Sequence, residues 1–506
     1  MTHIALFSWP LVVLVLFRRY PPATAIALSI IGGYLLLPTL VGMRLPLLPD
    51  LDKNTLSALP ALVLAMTLGQ ANDRYRLTMT SNSDTPTGWI PRHPMVLILL
   101  AAIVIGIVMT TLTNSQSVRY GPTVLRGVSP FDGASALMNT MVAMIPFFLA
   151  RKFLARPEDH RTLVIILCLA GFLYSLLALY EIRMSPQLNK TIYGYFPHDW
   201  SQHRRGGGWR PIVFLHHGLW LGIFLAGAVL AAAATINLVP GKWRSRAIMM
   251  TAWLFVTLFL AKTLGAFLIV LVLLPFLFLS VRAQMLCAAG LCAAVLFYPM
   301  LRSSGLVPIN QITNLASMIN EQRALSFLTR LNHENALLEK ASQRPLFGWS
   351  GYSRARVYSD RGEDLSVTDG FWIILLGEGG WMRYLGNFGL LAVPTIILAM
   401  RQKAYEVTLA TSALCLILTA NLIDLIPNAT MTSLTWLIAG ALAGRLEVVC
   451  SAAGQASTLT DTSDPERGAP QPSDLLGRPK APVYSRQTEL IKREPSVRRH
   501  RPERRV

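Results

Sequence analysis

Charge is what this chain has least of. Only 14% of its 506 residues are Asp, Glu, Lys or Arg, where a soluble chain carries about 25%. That excludes an ordinary water-soluble domain. Acid is scarcer still, 27 Asp and Glu against 46 Lys and Arg, for a net charge of +19. Cysteine is sparse too. Cys168, Cys287, Cys292 and Cys415 sit inside apolar stretches and Cys450 follows one, which leaves the polar loops no disulfide framework. A secretory cleavage signal is also missing. The first apolar stretch, Ile4 to Phe17, runs into Arg18-Arg19-Tyr20-Pro21-Pro22 with no small-residue cleavage site.

Hydrophobic residues make up 53% of the chain. They fall into thirteen apolar segments, near 4–17, 23–42, 55–70, 95–113, 134–150, 162–181, 212–237, 247–260, 264–281, 284–300, 371–400, 405–423 and 430–446. Most approach the ~20 residues that cross a bilayer. The expected fold is all-α, a polytopic membrane bundle of 12–13 transmembrane helices over residues 1–446, with 447–506 as a basic tail. The 371–400 segment is long and carries Arg383, which suggests two pieces. The pair at 247–281, split by Lys262-Thr263, is the weakest part of the count.

Alternate loops carry the cations: Arg18-Arg19; Arg74, Arg76 and Arg92; Arg151, Lys152, Arg156 and Arg161; Lys242, Arg244 and Arg246; Arg282; Arg401 and Lys403. Positive charge collects on the cytoplasmic side, so these loops are expected inside and the amino terminus outside. The tail, rich in Ser, Thr, Pro and charge from Ser451 and ending KREPSVRRHRPERRV, reads as disordered and cytoplasmic, leaning on anionic lipid. The net positive charge is accounted for by orientation and lipid, so no nucleic-acid partner is expected.

The outer loops are then 43–54, 114–133, 182–211 and 301–370. The last has a helix-like middle, Asn320 to Gln343, with Leu325, Leu328, Leu331 and Leu338 among charges, as an amphipathic surface helix would have. The 182–211 loop breaks the charge rule with Arg183, Lys190, Arg204, Arg205 and Arg210. An anionic ligand at the outer face explains them. Its end reads Arg204-Arg205-Gly-Gly-Gly-Trp209-Arg210-Pro211 and leads to His216-His217-Gly218. Glycines let backbone approach a ligand, arginine forks suit phosphate oxygens, and a helix amino terminus favours anions. The plainer reading is a loop touching headgroups.

Two more clusters follow. Arg330 and His333 precede Arg344-Pro345-Leu346-Phe347-Gly348-Trp349-Ser350, and Asp369-Gly370-Phe371 precedes Glu378-Gly379-Gly380 and Gly386-Asn387-Phe388-Gly389. Glu378 is either a chemical group or a packing acid paired with Arg383.

In their order these motifs resemble the bacterial O-antigen ligase and O-antigen polymerase superfamily. The resemblance covers about 205–400. It comprises the arginine loop, the small-residue Lys262-Thr263-Leu264-Gly265-Ala266, Arg330 before the P-L-x-G-W stretch, and the acid–aromatic turn into E-x-G-x-x-G. It implies glycan transfer at the periplasmic face of the bacterial inner membrane. The donor would be a glycan on undecaprenyl diphosphate, the acceptor a glycan or lipid. Arg210 and Arg330, with Arg204 and Arg205, would hold the diphosphate. Asp369, His217 or Glu378 would act catalytically, with His216 and His333 as further candidates. No metal or cofactor is implied, and a chain-length regulator protein is a possible partner. Ligases of the superfamily carry a His before the helix that returns into the membrane. Here Thr368-Asp369-Gly370-Phe371 stands there, which shifts the expectation from ligation to lipid A core toward polymerising O-antigen or exopolysaccharide units.

Two rivals remain. Asp50-Leu51-Asp52 is the acidic pair that a GT-C glycosyltransferase would use with Mg²⁺ or Mn²⁺. A flippase or transporter would show internal repeats and cations within spans; no repeat is visible, and Arg383 alone lies mid-segment.

Overall fold

The computed structural model describes residues 1–43, 49–67, 88–205, 207–305 and 321–460. The chain divides into a compact unit, Met1–Gln455, and a C-terminal unit, Ala456–Val506. Arg74, Arg76, Gly206 and the tail beyond Thr460 lie outside the described residues, so the expectation of a disordered basic tail does too.

The architecture is helical. In chain order come α1 (Thr2–Arg19), α2 (Pro22–Leu36), a hairpin β1 (Gly42–Met43) with β2 (Leu51–Asp52), α3 (Lys53–Thr67) and α4 (Pro94–Thr113). A second hairpin follows, β3 (Val118–Tyr120) and β4 (Thr123–Leu125), then α5 (Pro130–Ala143), α6 (Ile145–Phe153), α7 (Pro157–Met184) and the short α8 (Leu188–Tyr193). The third hairpin, β5 (Arg204–Arg205) with β6 (Gly208–Trp209), leads to α9 (Gly218–Leu238), α10 (Gly241–Leu260), α11 (Leu264–Leu273) and α12 (Val281–Leu296). The remainder is α13 (Tyr298–Ser303), α14 (Glu321–Ser342), α15 (Phe371–Met400), α16 (Leu409–Asp424) and α17 (Ser433–Thr460).

Each of the thirteen apolar segments holds a helix. By length and composition, six among the described residues are long and apolar enough to cross a membrane: α1, α4, the α5–α6 pair, α7, α9 and α15. α2, α12, α16 and α11 with its 3-10 extension are apolar but shorter. The bundle centres on α9, which packs against α7, α10, α11 and α16. Its run Ala231–Ala234 is wholly buried, small side chains letting neighbours close in. Outward faces are apolar instead of polar: Ile98, Leu173, Phe259 and Val272 are each more than half exposed. A water-facing surface does not carry such apolar patches.

Three sequence expectations change. First, α9 starts at Gly218, not at 212. Residues 212–217 are irregular, with Val213 at φ +54°, because acceptors elsewhere satisfy their backbone. Glu181, wholly buried at the end of α7, accepts from the N–H of Ile212 (2.8 Å), Val213 (2.7 Å) and Leu188 (3.0 Å). Tyr174 accepts from Phe214 N–H at 3.1 Å. Second, α17 continues past 446 because Glu447 on it pairs with the wholly buried Arg151 of α6. Third, the loops contain small hairpins that hydropathy does not show.

The loops sort onto two ends. At one end, Thr2 Oγ1 donates to Tyr193 O (3.0 Å), Lys262 Nζ to Arg205 O (2.8 Å), Thr123 Oγ1 to Gly362 O (3.0 Å), Arg344 Nη1 to Asn114 Oδ1 (2.6 Å) and Ser433 Oγ to Asn54 Oδ1 (3.1 Å). At the other, Arg151 Nη2 donates to Gly88 O (2.8 Å), Arg92 N–H to Glu447 (3.2 Å) and Arg445 Nε to Tyr405 O (2.9 Å).

Candidate functional site

The site lies at the hairpin end. β5 and β6 pair Arg204 with Trp209 and Arg205 with Gly208, and Arg210 N–H donates to His203 O at 2.8 Å. Arg204 and Arg205 are exposed on this hairpin. Arg210 instead turns inward and is only 3% exposed. Its side chain crosses the first residue of α9 so closely that a Cβ on Gly218 would stand 2.6 Å from Arg210 Nε. That Nε is enclosed and has no hydrogen-bond partner among the described residues. Burial, Arg205 and Arg330 push the guanidinium down to about 10, opposed by Asp424. Arg205 and Arg330, from two distant loops, thus both bear on the buried Arg210.

Arg330, from α14, pairs with Asp369 at 3.2 Å. Asp369 is placed by the next two residues. Phe371 N–H donates to Leu425 O (3.0 Å) and Asn428 O (3.2 Å), which seats the start of α15 on the turn after α16. In that turn the buried Asp424 accepts from Asn428 Nδ2 (2.9 Å) and Thr430 Oγ1 (2.6 Å).

Four histidines crowd the same corner. His198, His203 and His217 bring ring nitrogens within 4.8 Å of one another, and the His216 and His198 ring centroids are 5.9 Å apart. Burial lowers His203 to about 4 and His217 to about 2, and the Arg210 charge adds to the lowering of His217. The His203 and His217 rings are therefore neutral, and the arginines carry positive charge here. His217 Nδ1 accepts the Leu219 N–H at 3.1 Å as cap of α9. Its proton then sits on Nε2, which becomes a donor. This tautomer suits an oxyanion better than a metal ion, which binds an unprotonated nitrogen. It also makes His217 a donor to an anion instead of a base. His333 lies half-buried on α14, one turn beyond Arg330.

Glu378 is placed differently. Its charged neighbours are Arg383, at 4.0 Å, and Arg356, not the hairpin arginines. It sits where α15 breaks, at Gly380 (φ +62°, ψ −166°). The break frees backbone groups, and the Pro345–Ser350 stretch takes them up. Trp349 N–H donates to Gly377 O (2.8 Å), Ser350 N–H to Glu378 O (2.8 Å), Trp381 N–H to Pro345 O (2.7 Å) and Met382 N–H to Leu346 O (3.2 Å). A Cβ on Gly380 would stand 2.4 Å from the Leu346 carbonyl. The two motifs therefore dock through backbone, and the structure favours Glu378 as a packing acid. Asp52 likewise caps α3, accepting from Asn54 N–H (3.0 Å), Asn54 Nδ2 (3.1 Å) and Thr55 N–H (2.9 Å).

Sequence reasoning missed Glu334. It lies one turn beyond Arg330 on α14, is 9% exposed, and its Oε2 has no partner among the described residues. Burial raises its carboxyl to about 7, against the pull of Arg302. Its i, i+4 spacing from Arg330 puts both on one helix face, a signal available beforehand. No family model and no curated protein matches the chain.

Proposed function

We propose that the chain is a polytopic membrane protein that transfers a glycan from a lipid-linked diphosphate donor, its hairpin end facing the periplasm and its tail the cytoplasm. The observation that carries this reading is Arg210: a buried guanidinium with an unpartnered Nε, sharing its region with Arg205, Arg330 and the His217 Nε2–H. A diphosphate supplies the acceptor oxygens such a group lacks.

In this reading the acceptor hydroxyl attacks the anomeric carbon. The carbon–oxygen bond to the diphosphate breaks, and the lipid diphosphate leaves with the electron pair. Arg205, Arg210 and Arg330 stabilise the charge that develops on it, and His217 donates a further hydrogen bond. Asp369 or Glu334 takes the hydroxyl proton. Glu334, near neutral pH in its affinity for protons, is matched to that exchange. Polymerisation of O-antigen or exopolysaccharide units is preferred over ligation to lipid A core, since Asp369 stands where ligases carry His.

The test is the glycan profile, on a gel, of a deletion strain complemented with Arg210→Ala or Arg330→Ala. Loss of the long ladder with single units kept on the acceptor supports polymerisation. Long chains held on the carrier indicate ligation. Full ladders from both variants overturn the diphosphate clamp. Transport is the second reading, since a broken helix bearing an ion pair is a transporter device. Here, however, the break in α15 is filled by the Pro345–Ser350 backbone.

A further inference from the structure

Beside the arginine cluster is a cavity of about 480 Å³, within the range of small-molecule sites. Its wall includes Tyr34 from α2 and Thr39 just after it, Asp50 before β2 and Lys53 at the start of α3, His216 from the irregular segment before α9 and Trp220 from the first turn of α9. Four enclosed polar atoms in this wall have no hydrogen-bond partner among the described residues: Tyr34 Oη, Thr39 Oγ1, Lys53 Nζ and His216 Nδ1. Lys53 is 7% exposed and its ammonium lies 5.4 Å from the Tyr34 ring centroid. Buried polar groups are nearly always paired, and a buried unpaired cation is costly. Four such atoms around one cavity, unpartnered among the described residues, mark a place where a polar ligand can bind.

The chemistry of that partner follows from the wall. A hydroxyl of Tyr34, a hydroxyl of Thr39 and an imidazole nitrogen suit a ligand with many hydroxyls. Burial pushes the Lys53 ammonium down to about 7 against the pull of Asp52, so a negative group entering beside it would restore its charge. Trp220 offers an aromatic face, while the Asp52 carboxylate is engaged in capping α3. Leu215 and His216 line the cavity, and the very next residue, His217, belongs to the arginine and histidine cluster, so the irregular segment before α9 contributes to both sites. We propose that this cavity binds an anionic saccharide unit, its carboxylate or phosphate on Lys53 and its hydroxyls on Tyr34, Thr39 and His216. As the acceptor's subsite it rests on the glycan-transfer reading; as a saccharide site it does not.

The test is saturation-transfer NMR on the full chain in phosphatidylcholine nanodiscs, with methyl glucuronide, methyl glucoside and short-chain phosphatidylglycerol as probes. The glucuronide is expected to bind in preference to the glucoside. Lys53→Gln is expected to weaken it about tenfold or more, the worth of one charge-assisted bond. Trp220→Ala is expected to weaken both sugars, and Arg210→Ala neither. Size-exclusion and thermal unfolding establish that each variant is folded, and Thr39→Val supplies a milder change should Lys53→Gln not fold. Equal binding of both sugars, an unchanged glucuronide affinity in Lys53→Gln, or competition by phosphatidylglycerol alone overturns the assignment. Retained saccharide binding beside normal glycan ladders in Arg210→Ala and Arg330→Ala leaves this site standing and the transfer reading fallen. The reverse pattern does the opposite.

Discussion

Glu181 is the residue whose removal has the most calculable consequence. Its carboxylate accepts three backbone N–H groups, from Leu188, Ile212 and Val213, at 3.0, 2.8 and 2.7 Å. It is wholly buried, so water does not replace it. Each orphaned N–H costs about 1–3 kcal/mol, and Glu181→Ala should therefore destabilise by at least about 3 kcal/mol. Glu181→Gln gives a graded comparison. Its carbonyl oxygen can keep Ile212 and Val213 while its amide faces Leu188 N–H, for a loss of about 1–3 kcal/mol. The two substitutions should rank in that order by thermal unfolding in nanodiscs. Limited proteolysis should show the 182–213 loop cut faster in the same order, because this carboxylate closes the loop at both ends. Equal stability of Glu181→Ala and wild type, with an unchanged cleavage rate, would refute the reasoning.

Four further expectations follow from single contacts. Gly218→Ala should displace Arg210, whose Nε lies 2.6 Å from the added Cβ, lowering glycan transfer while the protein remains folded by size-exclusion. Gly380→Ala combines a left-handed φ of +62° with a Cβ 2.4 Å from Leu346 backbone, and should cost more than about 2 kcal/mol in thermal unfolding. Glu447→Ala strands the buried Arg151, for about 3–5 kcal/mol, read the same way. Glu334, raised from 4.5 to about 7 in the fold, binds its proton more tightly folded than unfolded. Wild type should therefore lose stability as pH rises from about 4.5 to about 7, by about 3 kcal/mol at 1.36 kcal/mol per unit. Glu334→Gln should remove that slope and match wild type below pH 4.5; an unchanged slope would contradict the assignment.

Helix placement was legible because apolar length is a local property. Stretches such as 95–113 and 371–400 declare themselves without reference to the rest of the chain, and the length of 371–400 with Arg383 inside it pointed to a break. Residues that depend on distant partners were not legible. Nothing near 212 says that Glu181 will satisfy its backbone and hold it out of the helix. Nothing near 446 says that Arg151 will draw α17 onward. The arginines of the 182–211 loop stood out because they broke the charge rule, and the structure gathers Arg205, Arg210 and Arg330. The roles among candidates needed coordinates. One hydrogen bond from Leu219 makes His217 a donor, and four backbone bonds make the Glu378 turn a docking surface. Tyr34 and Thr39 came into view only when α2 and α9 closed a cavity around them.

The central claim is that Arg210 and Arg330 bind the diphosphate of a lipid-linked glycan as it leaves. Purified protein reconstituted in vesicles with an undecaprenyl-diphosphate-linked donor tests it most directly, by following free lipid diphosphate and glycan length together. The account predicts that both rise in step with wild type and that neither rises with Arg210→Ala or Arg330→Ala, each still inserted and folded. Release and elongation at wild-type rates in both variants, or donor moved across the vesicle membrane intact, would contradict it.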